Sequence, residues 1–198
     1  MHSKISNIAI IFLFALITIN CSNKSNPLNT TGGKEIIPLN LDNTWNYHVT
    51  AYDTSGNIYF SVNNSDKIMG DTIINGQRWY YQDKGALYFA IKSDGYYTFD
   101  RYAMDTAKIN LAYKYPCNTG DKYSYWEVVK LDTQITVPAG NFSCVLYSYR
   151  LKTSDSFSYY DIYIKPGIGR IKTVTYGFVD NHPIFVWTIK ELISYKLK

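Results

Sequence analysis

Three cysteines are the residues best placed to do chemistry in this 198-residue chain. A thiol can be acylated, oxidised to a disulfide or buried as a small hydrophobe, and its position decides among these. Cys21 follows directly on an apolar run. Cys117 and Cys144 do not have the spacing of a redox or zinc motif. Of the three histidines, His2 lies in the apolar leader, and His48 alternates with Trp45 and Tyr47 and so faces the polar side of a strand. His182 sits in a proline turn. None has a second histidine or a cysteine at metal-ligand spacing. No Gly-x-Ser-x-Gly elbow, phosphate loop or His-Glu-x-x-His is present. Asp and Glu fall mostly at turns, where they bond the local backbone. The sequence thus nominates no catalytic residue, no metal ligand and no cofactor, and its ligand-binding residues are unknown at this stage.

Cys21 is the exception. Lys4 gives a short positive start, and Ile5 to Ile19 is uncharged and apolar apart from Ser6, Asn7 and Thr18. That run suits a signal peptide and is short for a membrane span of roughly 20 residues. Leu16-Ile17-Thr18-Ile19-Asn20-Cys21 resembles a lipobox, whose cysteine takes an acyl glyceryl group as a thioether and becomes the new N-terminus. Asn20 departs from the usual Gly, Ala or Ser, and Thr18 from the commoner Leu. The alternatives are ordinary cleavage, for which no small-x-small site is present, and an uncleaved anchor. Residues 22–35 are polar, with Pro27, Gly32 and Gly33, and carry no apolar period. They read as a tether reaching a couple of nanometres, at roughly 5–6 Å times the square root of its length. The expected organisation is a signal peptide over 1–20, a lipidated cysteine and tether over 21–35, and one domain over 36–198. Ser22 is not Asp, which favours the outer membrane by resemblance to lipoproteins of Gram-negative envelopes.

The domain has to be built from strands. Aromatic residues make up 17 % of the chain, 20 of them Tyr, and Tyr suits pleated, half-buried surfaces. The dominant period is two: Trp45, Tyr47 and Val49 alternate with polar neighbours, as do Ile58, Phe60 and Val62. Asn75-Gly76 between two such runs predicts a two-residue hairpin, because both residues tolerate positive φ. Further turns are expected at 83–85, 93–95, 138–140, 166–169 and 180–183. Strands fill the intervals at about 86–92, 96–101, 122–131, 134–137, 142–151, 157–165, 170–178 and 184–197. Segment 102–113 could hold a short helix. More than ten strands cannot stay flat and open. The expected class is all-β: an antiparallel meander forming a strongly curved sheet or open barrel, with a two-layer sandwich as the alternative. A weak repeat supports two halves. Pro38 to Tyr47 lines up with Pro116 to Tyr125, and Ile74 to Trp79 parallels Val137 to Phe142.

The phrases Pro38 to Tyr47, Val137 to Phe142 and Tyr159 to Gly169 resemble a loose group of uncharacterised β-rich envelope lipoproteins. That group carries a proline-led G-N-x-W-x-Y, a V-P-A-G-x-F and a P-G-x-G, and here Asp42-Asn43 replaces Gly-Asn. These motifs are turn chemistry, so the resemblance implies a fold and an address and brings no catalytic residue. A looser likeness is to curved-sheet carriers of lipoproteins.

The formal charge of +4 is spread along the chain with acids interleaved, unlike a nucleic-acid stripe. The expected partners are the membrane, through the lipid anchor, and a small apolar or glycan ligand or another envelope protein. Three readings follow: a non-enzymatic binding or structural module, an envelope hydrolase acting on glycan or peptidoglycan, and a subunit of a larger assembly. The tyrosine doublets 80–81, 96–97 and 159–160 put one ring on each face of a strand. Their exposed rings are either a stacking surface or simply hydroxyls turned to water. The repeat aligns Cys117 with Leu39 and Cys144 with Tyr80. The two cysteines are therefore expected either to form a disulfide or to stay separate buried thiols.

Overall fold

A computed structural model describes residues 35–82, 87–100, 109–153, 157–178 and 184–198. Twelve strands form one antiparallel sheet: β1 (Thr44–Tyr52), β2 (Ile58–Ile74), β3 (Gln77–Gln82), β4 (Leu87–Lys92), β5 (Gly95–Asp100), β6 (Ile109–Lys114), β7 (Lys122–Tyr123), β8 (Trp126–Val137), β9 (Gly140–Lys152), β10 (Phe157–Lys165), β11 (Gly169–Gly177) and β12 (Phe185–Lys196). Their order is β6-β5-β4-β3-β2-β1-β12-β11-β10-β9-β8-β7. The all-β meander expected from the period is therefore present, and no helix occurs among the described residues. Of segment 102–113, which could have held a helix, residues 109–113 lie in strand β6, and 102–108 lie outside the described residues.

Asn75 and Gly76 both have positive φ, 50° and 78°, as a type I′ turn requires. Two boundaries differ from the sequence reading. Runs 58–62 and 71–74 belong to one 17-residue strand. Its first part pairs with β1 through Lys67, and its second part pairs with β3 from Ile68 onward. The irregularity at Ile68–Gly70 lets the strand change partners there. At Gly70 a Cβ would meet the Tyr81 hydroxyl at 2.2 Å, so that ring lies over the glycine. Likewise 126–137 is one strand with two register shifts, and the strand expected from 122 is interrupted at Ser124, whose φ is 50°.

Two halves of six strands meet where β1 pairs with β12, from Thr44↔Lys196 to Ala51↔Thr188. The repeat is visible as hydrogen bonding. Asp42 N–H donates to Ile68 C=O at 3.0 Å, Ile68 N–H to Asn43 C=O at 2.9 Å, and Asn43 N–H to Asn40 C=O at 3.1 Å. The second half repeats all three. Gly120 N–H donates to Val128 C=O at 2.7 Å, Val128 N–H to Asp121 C=O at 2.9 Å, and Asp121 N–H to Asn118 C=O at 3.2 Å. Both turns need positive φ, supplied by Asp42 in one half and Gly120 in the other. Asn43 is fully buried, donating to Pro38 C=O and accepting from Lys198 N–H, so it ties the end of the chain to the start of β1.

The sheet curls until its edges approach without pairing. Tyr123 spans the seam: its hydroxyl accepts from Lys114 N–H at 3.1 Å and donates to Ala112 C=O at 3.2 Å. The Tyr147 hydroxyl donates to Lys114 C=O at 2.8 Å. Side-chain hydroxyls thus satisfy part of the edge that β6 would otherwise expose. Tyr113 of β6 closes the gap with rings, 5.5 Å from Trp126 and 5.3 Å from Tyr147.

Candidate functional site

The concave face is read from the register. Val62, Val49, Lys190, Thr173, Ile162 and Tyr147 form one row across β2, β1, β12, β11, β10 and β9. Phe60, Ala51, Thr188, Thr175, Tyr160 and Tyr149 form the next row, nearer the β1–β2 hairpin tip. Toward the other end the face is core, with Trp45, Tyr47, Ile164, Val145 and Leu192 all buried.

Three charged residues break this apolar surface. Asp66 opposes Trp45, and its Oδ2 accepts from Lys190 Nζ at 2.9 Å. Lys190 also lies 4.1 Å from the Tyr47 ring centroid. Both side chains keep 22 % exposure, so water reaches this depth. Burial lowers the Lys190 pKa, and Asp66 opposes that shift. Arg170 is the third. It opposes Ile164 on β10, and its own C=O accepts from the Tyr47 hydroxyl at 3.1 Å. Its side chain is half-buried, and neighbouring Tyr113, Tyr96, Tyr47 and Asp66 raise its pKa despite the opposing effect of burial. Yet among the described residues no carboxylate lies within ion-pairing distance of it, since Asp66 is taken by Lys190. The Tyr96 hydroxyl beside it is buried and donates to no acceptor among the described residues. Burial first raises the Tyr47 and Tyr96 pKa values, so both hydroxyls stay protonated and can donate. The interior therefore carries one cation beyond its anion, with an idle hydroxyl next to it. Such a site can hold an anion; a single carboxylate already committed to Lys190 does not make an acid–base pair.

Sequence reasoning missed all three residues, although a signal existed. Asp66 continues the inward positions of Ile58, Phe60 and Val62, and Lys190 lies inward between Thr188 and Leu192. A charge in the apolar phase of a strand marks either a turn or a site. Arg170 directly follows the turn phrase ending at Gly169, where only the fold shows which way it points.

On the convex face, Asp161 accepts from Ser148 Oγ at 2.5 Å, from Arg150 Nη2 at 2.6 Å and from the Tyr176 hydroxyl at 2.7 Å. Burial and then that bond to Asp161 push the Tyr176 hydroxyl up to about 12. With all three donors attached, the carboxylate ties β9, β10 and β11 together. A shallow open groove of about 340 Å³ lies outside the β1–β2 hairpin, against Tyr52, Phe185 and Val186. Its one acid, Asp53, is spent on the turn, accepting from Ser55 and Asn57 N–H.

His48 is half-buried and hydrogen-bonded to Asn63 and Ser61, on the polar side as expected. His2, His182 and Cys21 lie outside the described residues. Each tyrosine doublet puts one ring inward: Tyr80, Tyr96 and Tyr160 pack on the main core. The outward rings do not form an open stacking platform. Tyr81 and Tyr97 pack with Trp79, Tyr88 and Phe99 in a second buried cluster, while Tyr159 lies under Arg150.

Cys117 and Cys144 are separate buried thiols, so the tentative disulfide is not formed here. Cys117 Sγ touches the Tyr147 hydroxyl at 3.5 Å. Cys144 alternates with Val145 and Tyr147 on β9 and so points to the opposite face. Burial pushes the Cys144 thiol up to about 12 and raises that of Cys117 as well. Only thiolates react readily. Thiol titration of folded protein at neutral pH is expected to leave both unmodified, and denaturant without reductant should release two. No thiols released at these positions would mean that strand β9 is misplaced.

No family model matches the chain, and no curated protein matches it. Two solved structures resemble it. One is a "putative lipoprotein" from Parabacteroides distasonis ATCC 8503, 14 % identical, with a TM-score of 0.50, covering 83 % of this chain and 99 % of that one. The other is a "putative exported protein" with YmcC-like fold from Bacteroides fragilis NCTC 9343, 13 % identical, with a TM-score of 0.47, covering 81 % and 98 %. The first likeness is one of fold: a whole chain of that length folds as this one does.

Proposed function

We propose that this protein is an envelope lipoprotein, held by a lipid on Cys21 to the outer membrane, whose half-open barrel works by binding. The address rests on the signal-like leader, the cysteine that ends it and the polar tether. The structural neighbour described as a lipoprotein supports it. The binding role rests on one observation: among the described residues the concave face leaves the half-buried Arg170 cation without a carboxylate partner, beside a Lys190–Asp66 pair that keeps 22 % exposure. A glycan hydrolase would instead ask for two carboxylates roughly 5–10 Å apart, and Asp66 is committed to Lys190. One observation favours the assembly reading as a second function. Ile58, Tyr59, Phe60 and Val62 are exposed on the part of β2 that pairs only with β1 among the described strands, and such an edge accepts a partner strand.

Metabolic labelling with a fatty acid tests the address. Wild type is expected to take up label and sediment with membranes, and Cys21→Ser to do neither. Equal labelling of the two would reject the anchor.

A further inference from the structure

We infer that the concave face takes a carboxylate with an apolar body, the carboxylate seated between Arg170 and the Tyr96 hydroxyl and the body lying toward Val49, Ala51 and Val62. The inference rests on the binding role proposed above and gives it a ligand class.

Four observations carry it. First, among the described residues the interior cations are Arg170 and Lys190, and of these Lys190 alone has a carboxylate within ion-pairing distance. Arg170 is half-buried, so an anion arriving there gains a charge-assisted contact without displacing an existing ion pair. Second, Tyr96 is 1 % exposed with its hydroxyl unbonded. A buried donor without an acceptor is rare enough to ask for a ligand. Third, these two groups come from different strands, β11 and β5, and lie side by side. A planar guanidinium and a neighbouring hydroxyl match the two oxygens of a carboxylate. Fourth, apart from Lys190 the two rows leading from this point to the rim are apolar or hydroxylic, with Val49, Val62 and Ile162 in one and Ala51, Phe60 and Thr188 in the next. Asp66 does not repel the ligand, because Lys190 neutralises it at 2.9 Å. A purely apolar ligand would leave Arg170 and Tyr96 as they are. A polyanion would have to bury more charge than one guanidinium offsets.

Hexanoate, its neutral isostere hexanamide, and acetate provide the test. Each is titrated calorimetrically into the detergent-solubilised full-length lipoprotein, then into its Arg170→Gln and Tyr96→Phe variants. Hexanoate is expected to bind wild type at least about tenfold tighter than hexanamide, the range of one charge-assisted pair of hydrogen bonds. Arg170→Gln should erase that preference. Tyr96→Phe, which removes a single oxygen and keeps the ring stack with Phe89 and Tyr113, should weaken hexanoate severalfold and leave hexanamide unchanged. Equal affinity for hexanoate and hexanamide, or a preference that survives Arg170→Gln, overturns the inference and leaves the binding role standing. Acetate binding as tightly as hexanoate overturns the apolar-body part. Binding of none of the three overturns the inference and the binding role together, whereas the lipid anchor is judged by labelling alone.

Discussion

Trp45→Ala is expected to cost the domain about 3–5 kcal/mol, the range for truncating a buried tryptophan. Trp45 is 2 % exposed. It stands at the start of β1, between β2 and β12, in the central pair that joins the two halves. Its indole N–H donates to Ile168 C=O at 2.6 Å, locking the β10–β11 turn against the core. That turn is shaped for the ring. A Cβ on Gly169 would lie 3.1 Å from Trp45 Nε1, and Gly169 has φ of 118°. Truncation would open a cavity and also strip the donor from a half-buried carbonyl, which alone costs about 1–3 kcal/mol. Domains of this size have only about 5–15 kcal/mol in total, so the change should be large in urea unfolding. The midpoint should fall with the slope unchanged. Trp45→Phe keeps most of the volume and loses the hydrogen bond, so it should fall between wild type and Ala. A loss under about 1 kcal/mol for Trp45→Ala would mean that the turn is not anchored there.

Gly95→Ala should be nearly as damaging for a different reason. Gly95 has φ of 152° at the first residue of β5. An added Cβ would sit 2.2 Å from Tyr113 C=O, 2.8 Å from Leu111 Cδ1 and 3.1 Å from Lys114 Cα. The closest of these is backbone, so no rotamer relieves the clash. Strand β6 would have to move, and with it Tyr113, which closes the seam against Trp126 and Tyr147. The expected loss is about 3 kcal/mol or more. Amides of β6 should lose hydrogen-exchange protection before those of β1. Gly56→Ala is the control. It also has positive φ, 82°, but nothing lies within 4 Å of its would-be Cβ. There only the strain of roughly 1–2 kcal/mol applies. Equal losses at Gly95 and Gly56 would show that backbone angle, and not the approach of β6, sets the cost.

Much of the fold was legible in single residues. Period-two alternation placed Trp45 and Tyr47 inward and His48 outward because side-chain direction along a strand is a local property. Asn75-Gly76 announced its turn because few residue pairs accept two positive φ values. The match of Pro38–Tyr47 with Pro116–Tyr125 anticipated a turn that both halves build with the same three hydrogen bonds. The reading of Cys21 as an anchor likewise came from sequence, because the features that suggest an export signal are linear.

The tertiary structure decided what depends on which strands become neighbours. Alternation says that 58–62 and 71–74 are strands; it does not say that they are one strand whose partner changes from β1 to β3 at Ile68. The repeat suggested that Cys117 and Cys144 meet, but matched positions in sequence do not fix faces, and β9 turns Cys144 away from the Tyr147 hydroxyl that Cys117 touches. The candidate site is the clearest case. Arg170 comes from β11, Tyr96 from β5, Lys190 from β12 and Asp66 from β2, and each reads alone as an ordinary strand residue. Their meeting, and the cation left over once Lys190 and Asp66 have paired, arise only when the pairing of β1 with β12 curls two meanders around one interior. Local residue preferences carry no information about that long-range pairing, which is selected by burial of the whole aromatic core.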